Sequence, residues 1–290
     1  MLGPHPLTAL IDDADILGSD NWNRRHVLLK QAVPVSAFLT EDDVHRIIAM
    51  PLLRRPYFSV LKEGVWANPD LVTRVGKHDG RTVDGLVNTA GIRVALEQGA
   101  TLKLNQLEDW HEPTRTLVRE IEARVPAELK AYMFYTPQDN TGMRPHRDGS
   151  HVLAVQLAGR KEWRLYADPG RVDARPDLLD VDPQDSSHEF VMEPGDVLYL
   201  PHGYPHAATA RGAASLHLTL TITEPGPLDL VEALLTTFSD DHQDLMREHA
   251  RLRVEDKAAA TADALISRLD DVATDRLLHT ALSQMRRRIV

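Results

Sequence analysis

The chain predicts a mostly β protein, a barrel or sandwich of short strands with flanking helices, that runs on into an α-helical C-terminal region. Two observations predict this. Between residues 100 and 225, short apolar and β-branched runs recur at regular spacing with Gly- and Pro-containing turns between them. After Pro225-Gly226-Pro227 the composition shifts to Leu, Ala, Asp and Arg at a helical period. Three regions follow: residues 1–99, an N-terminal α/β segment leading into the barrel; 100–225, the β core; and 226–290, the helical region.

Residues 1–20 are polar with scattered Pro and Gly and read as an arm or short helix. Asn21 to Lys30 leads into a strand through His26-Val27-Leu28-Leu29. Thr40-Glu41-Asp42-Asp43 offers an N-cap with acidic residues in the first turn, and Val44, Ile47 and Ile48 follow at helical spacing. Two apolar runs separated by Asn68-Pro69-Asp70 read as edge strands, and Thr89 to Gln98 reads as a short helix. Ala100 to Asn105 alternates like a half-buried strand.

Pro113 sits early in a helix with the apolar stripe Leu117, Val118 and Ile121, which Val125-Pro126 ends. Leu129 to Thr136 is the next strand. His151–Leu157 and Glu162–Tyr166 read as a hairpin turning at Ala158-Gly159-Arg160-Lys161. Residues 167–187 read as a long surface loop. His188–Met192 and Val197–Leu200 flank the tight turn Glu193-Pro194-Gly195-Asp196, and His206–Thr209 with Ser215–Thr223 form a last hairpin. Beyond the boundary, Leu230, Val231, Leu234, Leu235 and Phe238, then Leu265, Ile266 and Leu269, then Leu277, Leu278, Leu282 and Met285 mark three or four amphipathic helices. These pack on the barrel or pair two copies of the chain.

Composition removes several classes of function. With 290 residues the chain is long enough to bury a substantial core. Its formal net charge of −10 argues against a broad nucleic-acid-binding surface. The absence of cysteine excludes disulfides, thiolate nucleophiles, zinc–thiolate sites and iron–sulfur clusters. No apolar run reaches the length of a membrane span, and the first residues lack a signal pattern, so the expectation is a cytoplasmic protein.

The chemistry concentrates in Arg144-Pro145-His146-Arg147-Asp148 and Pro201-His202-Gly203-Tyr204-Pro205-His206. Side chains alternate along a strand, so His146 and Asp148 share one face. His206 arrives 58 residues after Asp148 on a later strand. Two imidazoles and one carboxylate on one side of an ion leave positions open for other ligands, the arrangement that holds non-haem Fe(II). On the final strand, Ser215, His217, Thr219 and Thr221 fall on one face, opposite Leu216, Leu218 and Leu220. A polar face on a buried strand implies a cavity.

Taken together, His146-x-Asp148, Val155 to Tyr166, Glu193-Pro194-Gly195-Asp196 through Pro201, His206-Ala207-Ala208 and Ser215 to Thr221 resemble the JmjC-type cupins of the ribosomal oxygenase group. Leu104-Asn105-Gln106-Leu107 and Tyr135-Thr136-Pro137 add to the resemblance, which covers most of residues 20–225. It implies a double-stranded β-helix (cupin, jelly-roll) core and a hydroxylase of protein or peptide side chains that uses Fe(II), 2-oxoglutarate and dioxygen. It makes His146, Asp148 and His206 the metal ligands, with no catalytic residue beyond them. Lys161 matches the residue that pairs with the distal carboxylate of 2-oxoglutarate, and His217 matches a position near the same cosubstrate; Thr221, on the same polar strand face, is a further candidate for contact with it. Tyr132 stands where relatives often carry asparagine facing the cosubstrate. His202 stands where many carry arginine, which leaves His206 as the ligand of that pair. The larger relatives continue into a helical dimerisation region and a winged helix; here the expectation is the helices, and with them a homodimer, without the winged helix. Two other readings stay open: hydroxylation of a small metabolite or biosynthetic peptide, and a metal-binding cupin without catalysis. Direct nucleic-acid and membrane partners are not expected.

Overall fold

Strand alternation builds two sheets that face one another. The structure is a computed structural model and describes residues 4–166, 177–179, 181–182, 184–241, 243, 252–268 and 273–287. It divides into two units, one drawn from Met1–Ile121 and Leu129–Ile222, the other from Glu122–Glu128 and Thr223–Val290. Of the residues named above, Leu269 and positions 167–176, 180 and 183 of the long loop lie outside the described residues.

The first unit opens with α1 (Pro6–Asp13), capped by His5, whose ring nitrogen accepts from the Leu7 N–H. β1 (Val27–Leu29) and α2 (Glu41–Ile48) follow. In α2, Thr40 and Asp43 form a reciprocal capping box that satisfies two otherwise orphaned N–H groups. Then come β2 (Phe58–Lys62), β3 (Val65–Trp66), α3 (Pro69–Val72), β4 (Thr73–His78), β5 (Arg81–Val87) and α4 (Thr89–Glu97). Next are β6 (Thr101–Leu104), α5 (Leu107–Trp110), α6 (Glu112–Glu122) and β7 (Glu128–Thr136). The core strands are β8 (His146–Arg147), β9 (His151–Ala158), β10 (Lys161–Leu165), β11 (Asp177–Leu178), β12 (His188–Met192), β13 (Val197–Leu200), β14 (His206–Ala210) and β15 (Ser215–Thr223).

The larger sheet has the order β1-β13-β9-β15-β7-β6-β2-β3, and the smaller β11-β8-β14-β10-β12. This corrects the three expected hairpins. β9 pairs with β13 and β15, whereas β10 pairs with β12 and β14. The tight turns after β9, β12 and β14 therefore carry the chain from one sheet to the other, which is the winding of a double-stranded β-helix. Local turn chemistry is the same for a hairpin and for such a corner, so the sequence could not separate them. At the first corner Gly159 has φ +62°, and a Cβ there would stand 1.9 Å from the Ala214 carbonyl oxygen. Only glycine lets the two backbones approach so closely.

The other N-terminal differences are local. Asn68-Pro69-Asp70 does lie between two edge strands, β3 and β4, but a one-turn helix intervenes: Asn68 caps α3, accepting from Asp70 N–H. A hairpin of β4 and β5, unread in the sequence, follows as a separate two-stranded sheet.

Val152, Ala154, Trp163, Leu165, Met192, Leu198, Leu200 and Tyr204 form an apolar cluster drawn from both sheets. Each fully buried aliphatic side chain of this kind contributes on the order of 1.5–3 kcal/mol. In α6, Leu117, Val118 and Ile121 are buried as their spacing requires. Glu120 ties α6 to α1 by accepting from His5 N–H and Thr8 Oγ1.

In the second unit, α7 (Pro227–Asp241), α8 (Val254–Arg268) and α9 (Thr274–Arg287) occupy the helical region. α7 and α9 pack together: Thr237 Oγ1 donates to Thr280 Oγ1 at 3.3 Å and Gln284 donates to Thr236 Oγ1 at 2.8 Å, and Ala233, Phe238, Ala281 and Met285 are buried. Of the expected α7 stripe, Phe238 is buried while Val231 and Leu235 remain exposed. No helix among the described residues is long and apolar enough to cross a membrane.

Candidate metal centre

β8 contributes only two residues, but its pairing fixes the site. His146 is the register partner of His206 on β14, and their rings lie 4.3 Å apart. Asp148 follows immediately after β8. Its Oδ1 is 3.9 Å from His146 Nε2, and its Oδ2 is 3.6 Å from His206 Nε2. The three ligand atoms all lie within 4.8 Å of one another.

Hydrogen bonds behind the site decide what those atoms are. His146 Nδ1 is 2.8 Å from the Arg144 carbonyl, and His206 Nδ1 is 2.9 Å from the Tyr204 carbonyl. A carbonyl only accepts, so each Nδ1 carries the proton and donates it. Each Nε2 is then a bare lone pair aimed towards a carboxylate. Burial, and after it the neighbouring His146, lowers the His206 pKa to about 4, which keeps it in the neutral form that binds metal. Separations of 3.6 and 3.9 Å exceed hydrogen-bonding distance but are spanned by an ion roughly 2.0–2.2 Å from each donor. Electron-rich atoms converging without a proton between them fit a divalent cation.

A second electrostatic feature lies deeper. Lys161 on β10 is 3% exposed, and its ammonium donates to Thr136 Oγ1 at 3.2 Å and to His217 Nδ1 at 3.4 Å. Burial lowers its pKa to about 7. His217 is pushed well below the ordinary histidine value by burial, then by Lys161 and His206. Both acceptors are therefore neutral, and the lysine sits in the interior on hydroxyl and imidazole partners. The Trp163 ring stands between the two features, 5.6 Å from His206 and 5.9 Å from His217. Phe134 stacks on His217 at 4.9 Å.

Residues 108–230, which hold the metal-site triad and this lysine, match the JmjC domain family. That segment is similar to JmjC domains. Over 80% of its length it is 31% identical to ribosomal oxygenase 2 of Rattus norvegicus, of which it covers 49%. It is 33% identical to the ribosomal protein uL16 3-hydroxylase of Escherichia coli (strain K12) over 39% of this chain and 31% of that protein. The chain thus spans about half the length of the rat relative. In fold it is similar to YcfD, a ribosomal oxygenase from Escherichia coli in complex with cobalt and 2-oxoglutarate. The TM-score is 0.56 at 18% identity, over 91% of this chain and 68% of that one.

Other residues of the matched segment fall in different places. Tyr132 shares its strand face with Phe134 and Thr136, below the ammonium of Lys103, which lies 4.0 Å from its ring centre. Thr221 is half-buried at the far end of the His217 face, and its hydroxyl donates to the Lys130 carbonyl at 3.4 Å, a bond between strands. Arg144 is exposed. His151 is fully buried: it stacks on Trp22 at 3.8 Å and meets the Tyr199 hydroxyl at 3.0 Å.

Sequence reasoning missed Thr136 and Lys103. Their strands alternate, and their polar faces read as solvent-facing. The signal was present at Thr101, Lys103 and Asn105, a polar face like that of β15. In the fold Thr101 is buried and donates to Thr136 Oγ1, so this face begins as a cavity wall.

Proposed function

We propose that this chain is an Fe(II)- and 2-oxoglutarate-dependent oxygenase that hydroxylates an unactivated C–H of a protein or peptide side chain. The observation that carries the reading is the convergence of His146 Nε2, His206 Nε2 and the Asp148 carboxylate, with both Nδ1 protons committed to backbone carbonyls. The chemistry that bound iron and 2-oxoglutarate supply is conversion of C–H to C–OH by dioxygen, with the cosubstrate split to succinate and carbon dioxide.

The chain's own residues hold and orient. His146, Asp148 and His206 would hold the ion through two imidazole nitrogens and one carboxylate. Lys161, with Thr136 and His217, offers a buried cation for the distal carboxylate of 2-oxoglutarate, and a carboxylate there supplies the negative charge its present partners lack. Trp163 and Phe134 wall the space between and keep water from it. No side chain need act as nucleophile. A protein side chain as substrate is supported by the likeness to the ribosomal oxygenases named above. The same reading includes pairing of two copies through the C-terminal helices, supported by Leu228, Val231 and Leu235, which leave an exposed apolar stripe on α7.

Anaerobic titration with Fe(II) and 2-oxoglutarate tests it. A weak visible charge-transfer band is expected only with both present, and His146→Ala abolishes it together with succinate formation. Wild-type protein that binds neither, or a variant that still makes succinate, overturns the reading. Incubation with a lysate, followed by a search for peptides gaining one oxygen, tests the protein-substrate part.

A further inference from the structure

Lys103 stands on β6 with its side chain largely withdrawn from water, and burial lowers its pKa while the charge of Asp148 raises it. Among the described residues no oxygen or nitrogen hydrogen-bonds or ion-pairs with its ammonium. It rests on aromatic faces, 4.0 Å from the centre of the Tyr132 ring and 5.4 Å from that of Phe134. An ammonium has three donors, and ring faces do not satisfy them as an oxygen does.

The space in front of this ammonium is a cleft of about 360 Å³, lined by Lys103, Arg55, Ser59, Trp66, Asn105 and Tyr132 among others. Two cations line it and no carboxylate does. Trp66 is 57% exposed on β3, the last strand of the larger sheet, so a flat aromatic surface and an open strand edge border the cleft. An extended peptide fits such a border. Of the side chains it could insert, Arg or Lys would meet two like charges, and an amide would accept a hydrogen bond without answering the charge. A carboxylate does both.

We infer that Lys103 is a specificity-determining residue that seats a substrate carboxylate, and that the substrate is an acidic peptide placing an Asp or Glu side chain in this cleft. This rests on the oxygenase reading above and narrows its substrate class.

The test uses the full chain loaded with Mn(II) and 2-oxoglutarate. The probes are fluorescein-labelled heptapeptide pools that share uncharged randomised flanks and differ only in a fixed central Asp, Glu, Asn, His or Arg. By fluorescence anisotropy the Asp or Glu pool binds about tenfold more tightly than the Arg pool, with Asn between. Lys103→Met brings the acidic pools level with Asn, and Lys103→Arg keeps the preference. Where Lys103→Met fails to fold, Lys103→Gln replaces it with the same expected loss. Equal binding of all pools, tighter binding of the His or Arg pool, or an acid preference that survives loss of the charge overturns the inference. The anaerobic Fe(II)/2-oxoglutarate band, recorded on the same protein, separates the two failures. Band present without acid preference sinks only the role of Lys103; band absent sinks the oxygenase reading.

Discussion

His146 and His206 face each other across the β8–β14 bridge with ring centres 4.3 Å apart, and each gives its Nδ1 proton to the carbonyl two residues before it. Neither ring can present its other nitrogen without breaking that bond, so each holds its Nε2 lone pair towards Asp148. Replacing either with alanine is expected to weaken Mn(II) binding by more than the roughly 10–100-fold that loss of an outer hydrogen-bond partner costs. Electron paramagnetic resonance of free Mn(II) measures this, and wild-type affinity in either variant would refute the ligand assignment.

Lys161 links the site to stability. Its pKa falls to about 7 in the folded chain from an ordinary lysine value of 10.5. Between those values the unfolded chain binds more protons than the folded one, so this residue makes stability rise with pH across that window. Below pH 7 the full cost of the buried charge is present, on the order of a few kcal/mol. Lys161→Met is therefore expected to raise the melting temperature of the ligand-free protein near pH 7 and to lose that advantage as pH approaches 10. A variant less stable than wild type near pH 7 would contradict this.

The same residue predicts proton uptake. Seating a carboxylate on Lys161 restores its charged form, so 2-oxoglutarate binding at pH 8 takes up about one proton. Calorimetry in buffers of different ionisation enthalpy reads the number directly. Proton release, or none exchanged, would place the cosubstrate elsewhere.

At Gly159 two constraints act together: φ is +62°, and the Ala214 carbonyl oxygen lies 1.9 Å from the position a Cβ would take. Gly159→Ala should cost well over the roughly 1 kcal/mol of an unfavourable φ alone, because the corner between sheets must open. Urea denaturation checks it; a loss within about 0.5 kcal/mol, typical of neutral surface changes, would show the corner to be loose.

Asp196 is fully buried and accepts from Lys30 Nζ at 2.5 Å, Gln31 N–H at 2.7 Å and Glu193 N–H at 2.7 Å. It fastens the segment after β1 to the turn before β13. Asp196→Ala orphans two backbone donors and should cost on the order of 3 kcal/mol, and Asp196→Asn less, since an amide oxygen still accepts. Equal stability of all three proteins in denaturant titrations would leave the fastening without weight.

The residues of the candidate metal centre were legible because their chemistry is local: His146 and Asp148 are two apart on one face, and His206 follows a distinctive Pro-His-Gly-Tyr-Pro turn. Strand and helix positions were largely legible too, since alternation and caps such as Thr40–Asp43 are written in neighbouring residues. Strand partnership was not. The turns after β9, β12 and β14 use hairpin residues yet cross between sheets, and only the packing of both inner faces around Trp163 and Leu198 selects that winding. Which polar faces look inward was likewise decided by tertiary structure. Lys103 and Lys161 are both strand lysines in the sequence, and closing the barrel withdraws both ammonium groups from water, one onto the rings of Tyr132 and Phe134, the other onto Thr136 and His217. Periodicity records that a face is polar, but whether water or a cavity meets it depends on strands far away in the chain.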